Sequence, residues 1–237
     1  MASPSAAAVA RHPHLAAPVP HGHVRVDCHL HTMWSGDSTT TVDELADAVV
    51  ASAIDVLCIT DHHAIDGARR LATELPCRVV VGEEIRTTRG EVIGLFLRER
   101  IPFGLSPEAT ASRIRDQGGL VYVPHPFDPM RRNLAEDALE ALAVAGLVDA
   151  IEGRNAKTSL ESLQRQAQDF ARHHDLAAGA GSDAHVPEAI GAAYVEMPDF
   201  DGPSSFLDGL RHGEVVGHHS DPARQWRPRI VPSTSST

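Results

Sequence analysis

Residues 56–85 read VLCITDHHAIDGARRLATELPCRVVVGEEI. The opening run, 56–60, is apolar and suits a short buried strand; 65–75 is an amphipathic helical stretch; 78–85 is apolar again. Strand, helix and strand within one short segment make a crossover unit, and such units build parallel sheets.

Working outward, the same alternation continues in both directions. Strands are expected at 24–30, 92–97, 120–123, 149–152, 176–180 and 194–197, and helices at 41–53, 106–117, 134–145, 159–174 and 204–211. Thr41 with Glu44 reads as a capping box, and Ser106-Pro107 as a helix start. About seven strand–helix units predict a distorted, TIM-like (β/α)7 barrel, with a doubly wound open sheet as the other arrangement that fits. In both, a site forms at the C-terminal ends of the strands.

One domain is expected over 24–220. Residues 1–23, rich in Pro and Ala, read as a disordered leader, and 221–237 as a flexible tail. The leader histidines His12, His14, His21 and His23 are then solvated, with only adventitious affinity for metals.

The 237 residues are 42% hydrophobic but only 4% aromatic, so the core must rest on Val, Leu, Ile and Ala. A formal charge of -11 opposes binding to long polynucleotides and anionic membranes. Three cysteines without close pairing give no disulfide framework, and no apolar run approaches a membrane span. The N-terminus lacks the build of a secretory signal. A cytoplasmic protein with reduced thiols is expected.

The chemistry gathers where the strands end. After the first strand comes Asp27-Cys28-His29-Leu30-His31-Thr32, then Asp37 in the next loop. In extended chain, residues two apart point the same way, so His29 and His31 can grip one ion. Cys28 faces the opposite side and reads as a small core residue. Later strands end in Asp61-His62-His63, Gly82-Glu83-Glu84, Pro124-His125-Pro126 and Asp183-Ala184-His185. Each cluster alone is ordinary. Together they fall on one face of a parallel fold, which points to metal binding. Mixed imidazole and carboxylate donors suit Mn, Fe or Zn better than Ca.

In order and spacing, the His29-x-His31-Thr32, Asp61-His62, Pro124-His125-Pro126 and Asp183-x-His185 elements resemble those of the PHP (polymerase and histidinol phosphatase) superfamily, over roughly residues 24–195. The resemblance implies a centre of two or three divalent ions that activates water for phosphoester hydrolysis. One ion would take His29, His31, Glu84 and Asp183. Glu84 would bridge to a second held by His125, and Asp37, His62 and His185 would hold a third. Glu84 is preferred to Glu83 because the family ligand lies two residues after the glycine. Glu91 stands where many members have histidine and is taken as an oxygen ligand; Asp37 also stands where some members have histidine.

Three divalent ions against four carboxylates leave a charge of about +2 for a phosphate to neutralise. Arg131, Arg132 and Arg154 are candidates to grip that phosphate, with Lys157 beside the last. Asn155 is a candidate to bond substrate or a ligand, and His63 to act as acid or support. The expected substrate is a small phosphomonoester, histidinol phosphate-like or a nucleotide. The rivals are 5′–3′ trimming of short oligonucleotides and a non-enzymatic metal-binding module. Amide hydrolases on similar barrels need a bridging lysine at a strand end, and no predicted strand ends in lysine; Lys157 falls beyond the sixth.

Overall fold

A computed structural model describes residues 3–223, so most of the stretch expected as a tail lies outside the described residues. The strands are β1 (His23–Leu30), β2 (Val56–Ile59), β3 (Arg78–Thr87), β4 (Gly90–Leu95), β5 (Leu120–Val123), β6 (Ala150–Asn155), β7 (Ala177–Gly181), β8 (Ala193–Pro198) and β9 (Glu214–Gly217). They form one sheet in the order β7-β6-β5-β4-β3-β2-β1-β8-β9. Pairing is parallel from β1 to β3 and from β5 to β7. β4 runs antiparallel to both its neighbours, and β8 and β9 are antiparallel additions beside β1.

The sheet curls until the end of β7 meets the end of β1. Asp183 N–H donates to the His29 carbonyl at 2.7 Å, and His31 N–H to the Ala184 carbonyl at 2.9 Å. These bonds nearly close the barrel at the rim that carries the polar clusters. The expected distorted barrel is what forms, with a β3–β4 hairpin as its main departure from strand–helix alternation.

The helices start where the sequence marks them. In α2 (Val42–Ser52), Glu44 N–H donates to the Thr41 hydroxyl while Thr41 N–H donates to the Glu44 carboxylate. In α4 (Pro107–Asp116), Ala109 N–H donates to Ser106. The barrel core holds Val26, Cys28, Val56, Cys58, Ile93, Leu95 and Tyr122, so Cys28 is the small buried core residue expected.

The expectation of a disordered leader fails for residues 3–22. Ser5 caps a short helix, α1 (Ala6–Arg11), and a 3-10 turn follows at Pro13–Ala16. Leu15 is fully buried among Leu45, Val49, Ile190 and Tyr194. Buried Arg25 donates to the Leu15 and Ala17 carbonyls. Composition suggested disorder because the segment has few large apolar groups, but one leucine and these anchors suffice when a preformed surface receives them. No helix among the described residues is long and apolar enough to cross a membrane.

Candidate metal centre

Strand alternation decides which carboxylate enters the rim. Glu84 points inward; Glu83 points outward and accepts from Ile101 N–H at 2.8 Å. Glu84 Oε2 lies 3.4 Å from His29 Nε2, 3.2 Å from His31 Nε2 and 3.3 Å from His62 Nδ1, and Oε1 lies 3.0 Å from His125 Nε2. It sits among four histidines from three separate chain segments.

The donors fall into four overlapping groups, each compact enough to share an ion: His31, Asp37, His62 and His185; His29, His31 and Glu84; His29, His125 and Asp183; Glu84, Glu91 and His125. Every residue expected as a ligand is brought together here. Against the expected partition, Asp183 falls with His29 and His125, though it also lies 3.5 Å from His31. Glu91 stands 4.0 Å from His125, and burial beside Glu84 pushes its pKa up to about 7.

A cation fits this donor set. His29 Nε2 and His31 Nε2 are 3.2 Å apart. Each ring turns its other nitrogen outward, His29 Nδ1 to Glu152 at 3.1 Å and His31 Nδ1 to the Ser35 hydroxyl at 3.0 Å. As neutral rings their inner lone pairs would face each other with nothing between, and nitrogens about 3.3 Å apart span two ligand positions of a four-coordinate ion. Outer partners of this kind fix the tautomer and direction of a ligating imidazole.

Electrostatics agrees. Burial disfavours a charged His31, but bonds to Asp183 and Glu84 override it and raise its pKa to about 9. Burial likewise opposes ionisation of Asp183, yet Lys157 and His29 hold it well below the usual carboxylate range. His62 and His185 are pushed down to about 4 by burial and by His31, so both are neutral at pH 7. In the metal-free protein, His31 therefore carries a proton at pH 7 that an incoming ion must displace. Metal uptake is expected to release protons at pH 7, and affinity to rise with pH towards about 9. Calorimetry in buffers of different ionisation enthalpy measures this; uptake without proton release would contradict the assignment. The sign reverses for the metal-free fold. His31, raised above its ordinary 6.5, stabilises it fully below that value, and the contribution is lost as pH climbs through about 9.

These groups floor a cavity of about 500 Å³ whose wall includes Arg86, Arg131, Arg132, His63 and Lys157. His63 lies beside the donors with its ring centroid 4.8 Å from that of the exposed Phe103, the planes tilted by 35°. Three residues of the site, His63, His125 and Asp183, have positive φ (56°, 32° and 50°), a backbone state that side chains other than glycine rarely adopt. Such strain gathers where geometry serves a function.

Arg154 does not reach the cavity. A register shift between Glu152 and Arg154 in the β6–β7 pairing turns it outward, where both terminal guanidinium nitrogens donate to Glu161 at 3.1 and 3.0 Å. Asn155 is buried and supports ligands from behind, donating to Glu152 at 2.9 Å and to Asp183 at 3.3 Å.

The structure adds roles that the sequence reading did not assign. Glu152, fully buried, takes His29 Nδ1, the His125 backbone N–H and Asn155. Asp61 accepts from both the N–H and the hydroxyl of Thr32 at 2.6 Å, joining the first two motifs. Lys157 follows β6, yet its ammonium lies 3.2 Å from Asp183 and 2.7 Å from His185 Nδ1. Only Glu152 had a usable mark, as a carboxylate ending a strand.

Comparison with known proteins follows the same lines. A family model described as PHP-associated matches residues 162–215. The uncharacterized protein MJ0417 of Methanocaldococcus jannaschii is 35% identical over 197 residues, 79% of each chain. The uncharacterized protein MJ1587 of the same organism is 40% identical over 126 residues, 48% of this chain and 74% of that one. A two-domain protein from Bacteroides vulgatus, described as containing a predicted PHP-like metal-dependent phosphoesterase, shares the fold. Its TM-score is 0.67 at 19% identity, covering 85% of this chain and 67% of that one.

Proposed function

The chain belongs to the PHP superfamily, and from that premise we propose that it hydrolyses a small phosphorylated molecule, a phosphomonoester, at a centre of two or three divalent ions. The observation that carries this reading is the meeting of the four donor groups on the floor of a cavity walled by Arg86, Arg131 and Arg132.

His29, His31, Asp37, His62, Glu84, Glu91, His125, Asp183 and His185 would hold the ions. Mn, Fe or Zn suits so mixed a set. Bound there, divalent ions supply Lewis acidity towards phosphoryl oxygens and lower the pKa of water. The chain contributes the rest. The arginines on the wall offer charge and hydrogen bonds to phosphate oxygens. Burial lowers the pKa of His63, which favours the neutral ring and suits it to accept a hydrogen bond from the substrate rather than to deliver a proton. Glu152 and Asn155 keep His29 and Asp183 in place.

Amide cleavage fits less well. The carboxylate shared between donor groups is Glu84, and Lys157 is engaged at the edge with Asp183 and His185. A second reading, trimming of short oligonucleotides, draws on Phe103, whose exposed ring beside His63 offers a base a stacking surface.

The test is turnover by metal-stripped protein reloaded with Mn, Fe or Zn, with His29→Ala, Asp183→Ala protein as control. Histidinol phosphate, mononucleotides, adenosine bisphosphate and a short oligonucleotide are the substrates. Metal-dependent release of phosphate from a small molecule, lost in the control, is the expected result. Preference for the oligonucleotide would shift the reading to the nuclease. Tight metal binding without turnover of any phosphoester would sink both.

A further inference from the structure

Three histidines outside the described centre converge from opposite ends of the chain. His12 and His14 come from the N-terminal segment, and His218 follows β9. His12 Nδ1 lies 3.3 Å from His218 Nε2, and His14 Nδ1 lies 3.3 Å from His218 Nδ1. The His218 ring centroid is 5.1 Å from each of the others.

Their outer nitrogens have fixed roles. His12 Nε2 lies 2.9 Å from the Glu188 carbonyl, and His14 Nε2 lies 2.7 Å from the Gly191 carbonyl. A carbonyl only accepts, so both Nε2 atoms carry hydrogen. When these rings are neutral, both Nδ1 atoms present lone pairs to His218. A neutral His218 has a single N–H and can satisfy one of them. The other gap is lone pair against lone pair. An electrophile placed between the two nitrogens would use both lone pairs.

We propose that His12, His14 and His218 form a second metal site, selective for a first-row transition ion that prefers imidazole, with Zn²⁺ as the probe. An ion bonded to nitrogen at 2.0–2.1 Å in tetrahedral geometry separates two ligands by about 3.3 Å, which is the width of both gaps. The His12–His218 gap offers two ligands as the rings stand. An ion on His218 Nε2 leaves the Nδ1–H of that ring to donate to His14 Nδ1, so His14 orients His218 while keeping its own bond to Gly191, and water completes the shell.

A proton on His218 is the competing occupant. The surroundings oppose it. Burial comes first for all three rings, pushing His12 down to about 4 and lowering His14 and His218. The other charges that bear on the trio are cationic: Arg11 on His12, Arg25 and Arg154 on His14, and Arg154 on His218. Glu188 contributes its carbonyl, and its side chain is exposed. Among the described residues an imidazolium has no anionic partner here, whereas a metal–nitrogen bond uses the lone pair directly. With no carboxylate donor in the trio, this site should discriminate against Mn²⁺ more sharply than the carboxylate-rich centre does.

Such an ion would fasten the N-terminal segment to the end of β9. From there Ser220 N–H donates to the Ala156 carbonyl, beside Lys157. The site is a clasp between the chain ends rather than part of the hydrolytic cavity.

The experiment is metal analysis of the full chain after equilibrium dialysis against Zn²⁺, beside His12→Ala and His218→Ala variants. Each variant is expected to hold about one ion fewer than the unsubstituted chain and to keep its turnover with a phosphoester substrate. The ¹⁵N ring shifts of the unsubstituted protein give a readout that needs no variant. His218 should be neutral without metal and move to a metal-bound shift on adding Zn²⁺. Equal zinc content in all three proteins would overturn the proposal, as would a His218 ring that is imidazolium at pH 7 and unmoved by Zn²⁺. Neither failure touches the hydrolytic reading, which is read from turnover.

Discussion

Glu84→Gln is expected to abolish turnover and strip ions from the centre while leaving the barrel folded. Gln keeps the shape of the side chain but removes the charge and one acceptor. Glu84 belongs to two of the four donor groups and lies within 3.4 Å of nitrogens from His29, His31, His62 and His125. Losing it therefore weakens more than one ion position at once. Changing an outer partner of a metal ligand costs about 10–100-fold in affinity or activity, so a shared inner ligand should cost about a thousandfold or more. Glu152→Gln supplies the comparison, because Glu152 orients His29 and His125 without joining a donor group. It should fall in that 10–100-fold band. Turnover and ion content, measured for both variants at saturating metal, decide the matter. A Glu84→Gln protein that kept its full ions and activity within about tenfold of the parent would remove Glu84 from the centre.

The contrast between Glu84 and Glu152 also marks how far the sequence could be read. Rules local to a strand worked. Two-residue alternation put His29 and His31 on one face and sent Glu83 away from Glu84, and the strand-end rule for parallel folds gathered the remaining donors. What failed depended on distant partners or on broken periodicity. The shift in β6 reverses the side expected of Arg154, and no pattern in residues 150–155 announces it. Lys157 reaches His185 only because the chain folds back after the strand. β9 escaped notice because its residues are half-buried or exposed and lack an apolar face of their own. The N-terminal segment looked disordered because the surface that receives Leu15 and His12 is assembled from residues far along the chain. Composition reports what a segment can bury alone, not what a neighbour can bury for it.

Gly181→Ala is expected to have the next largest effect, although Gly181 offers no side chain to any ion. It ends β7, where the sheet turns back towards β1 and the donor Asp183 follows two residues later. A Cβ at this position would lie 2.4 Å from His29 Cβ, 2.5 Å from Glu152 Oε1 and 2.9 Å from the His29 backbone nitrogen. Neither neighbour can retreat. Both are buried, and they are bonded to each other at 3.1 Å. The methyl must therefore push apart the two strands that close the barrel, or drive Glu152 off His29. Overpacking of a full core typically costs about 1–3 kcal/mol. For a domain of this size that lowers Tm by roughly 2–12 °C. The chemical effect should exceed the structural one, since displacing Glu152 frees the His29 ring and costs about 10–100-fold in metal affinity. Gly153→Ala is the control. It lies on the adjacent strand, where a Cβ would meet the Ala178 methyl at 3.2 Å and the flexible Gln168 side chain at 3.3 Å. That variant should melt near the parent and keep its ions. If Gly181→Ala did the same, the close approach of β7 to β1 would not be what holds His29 and Glu152 in register.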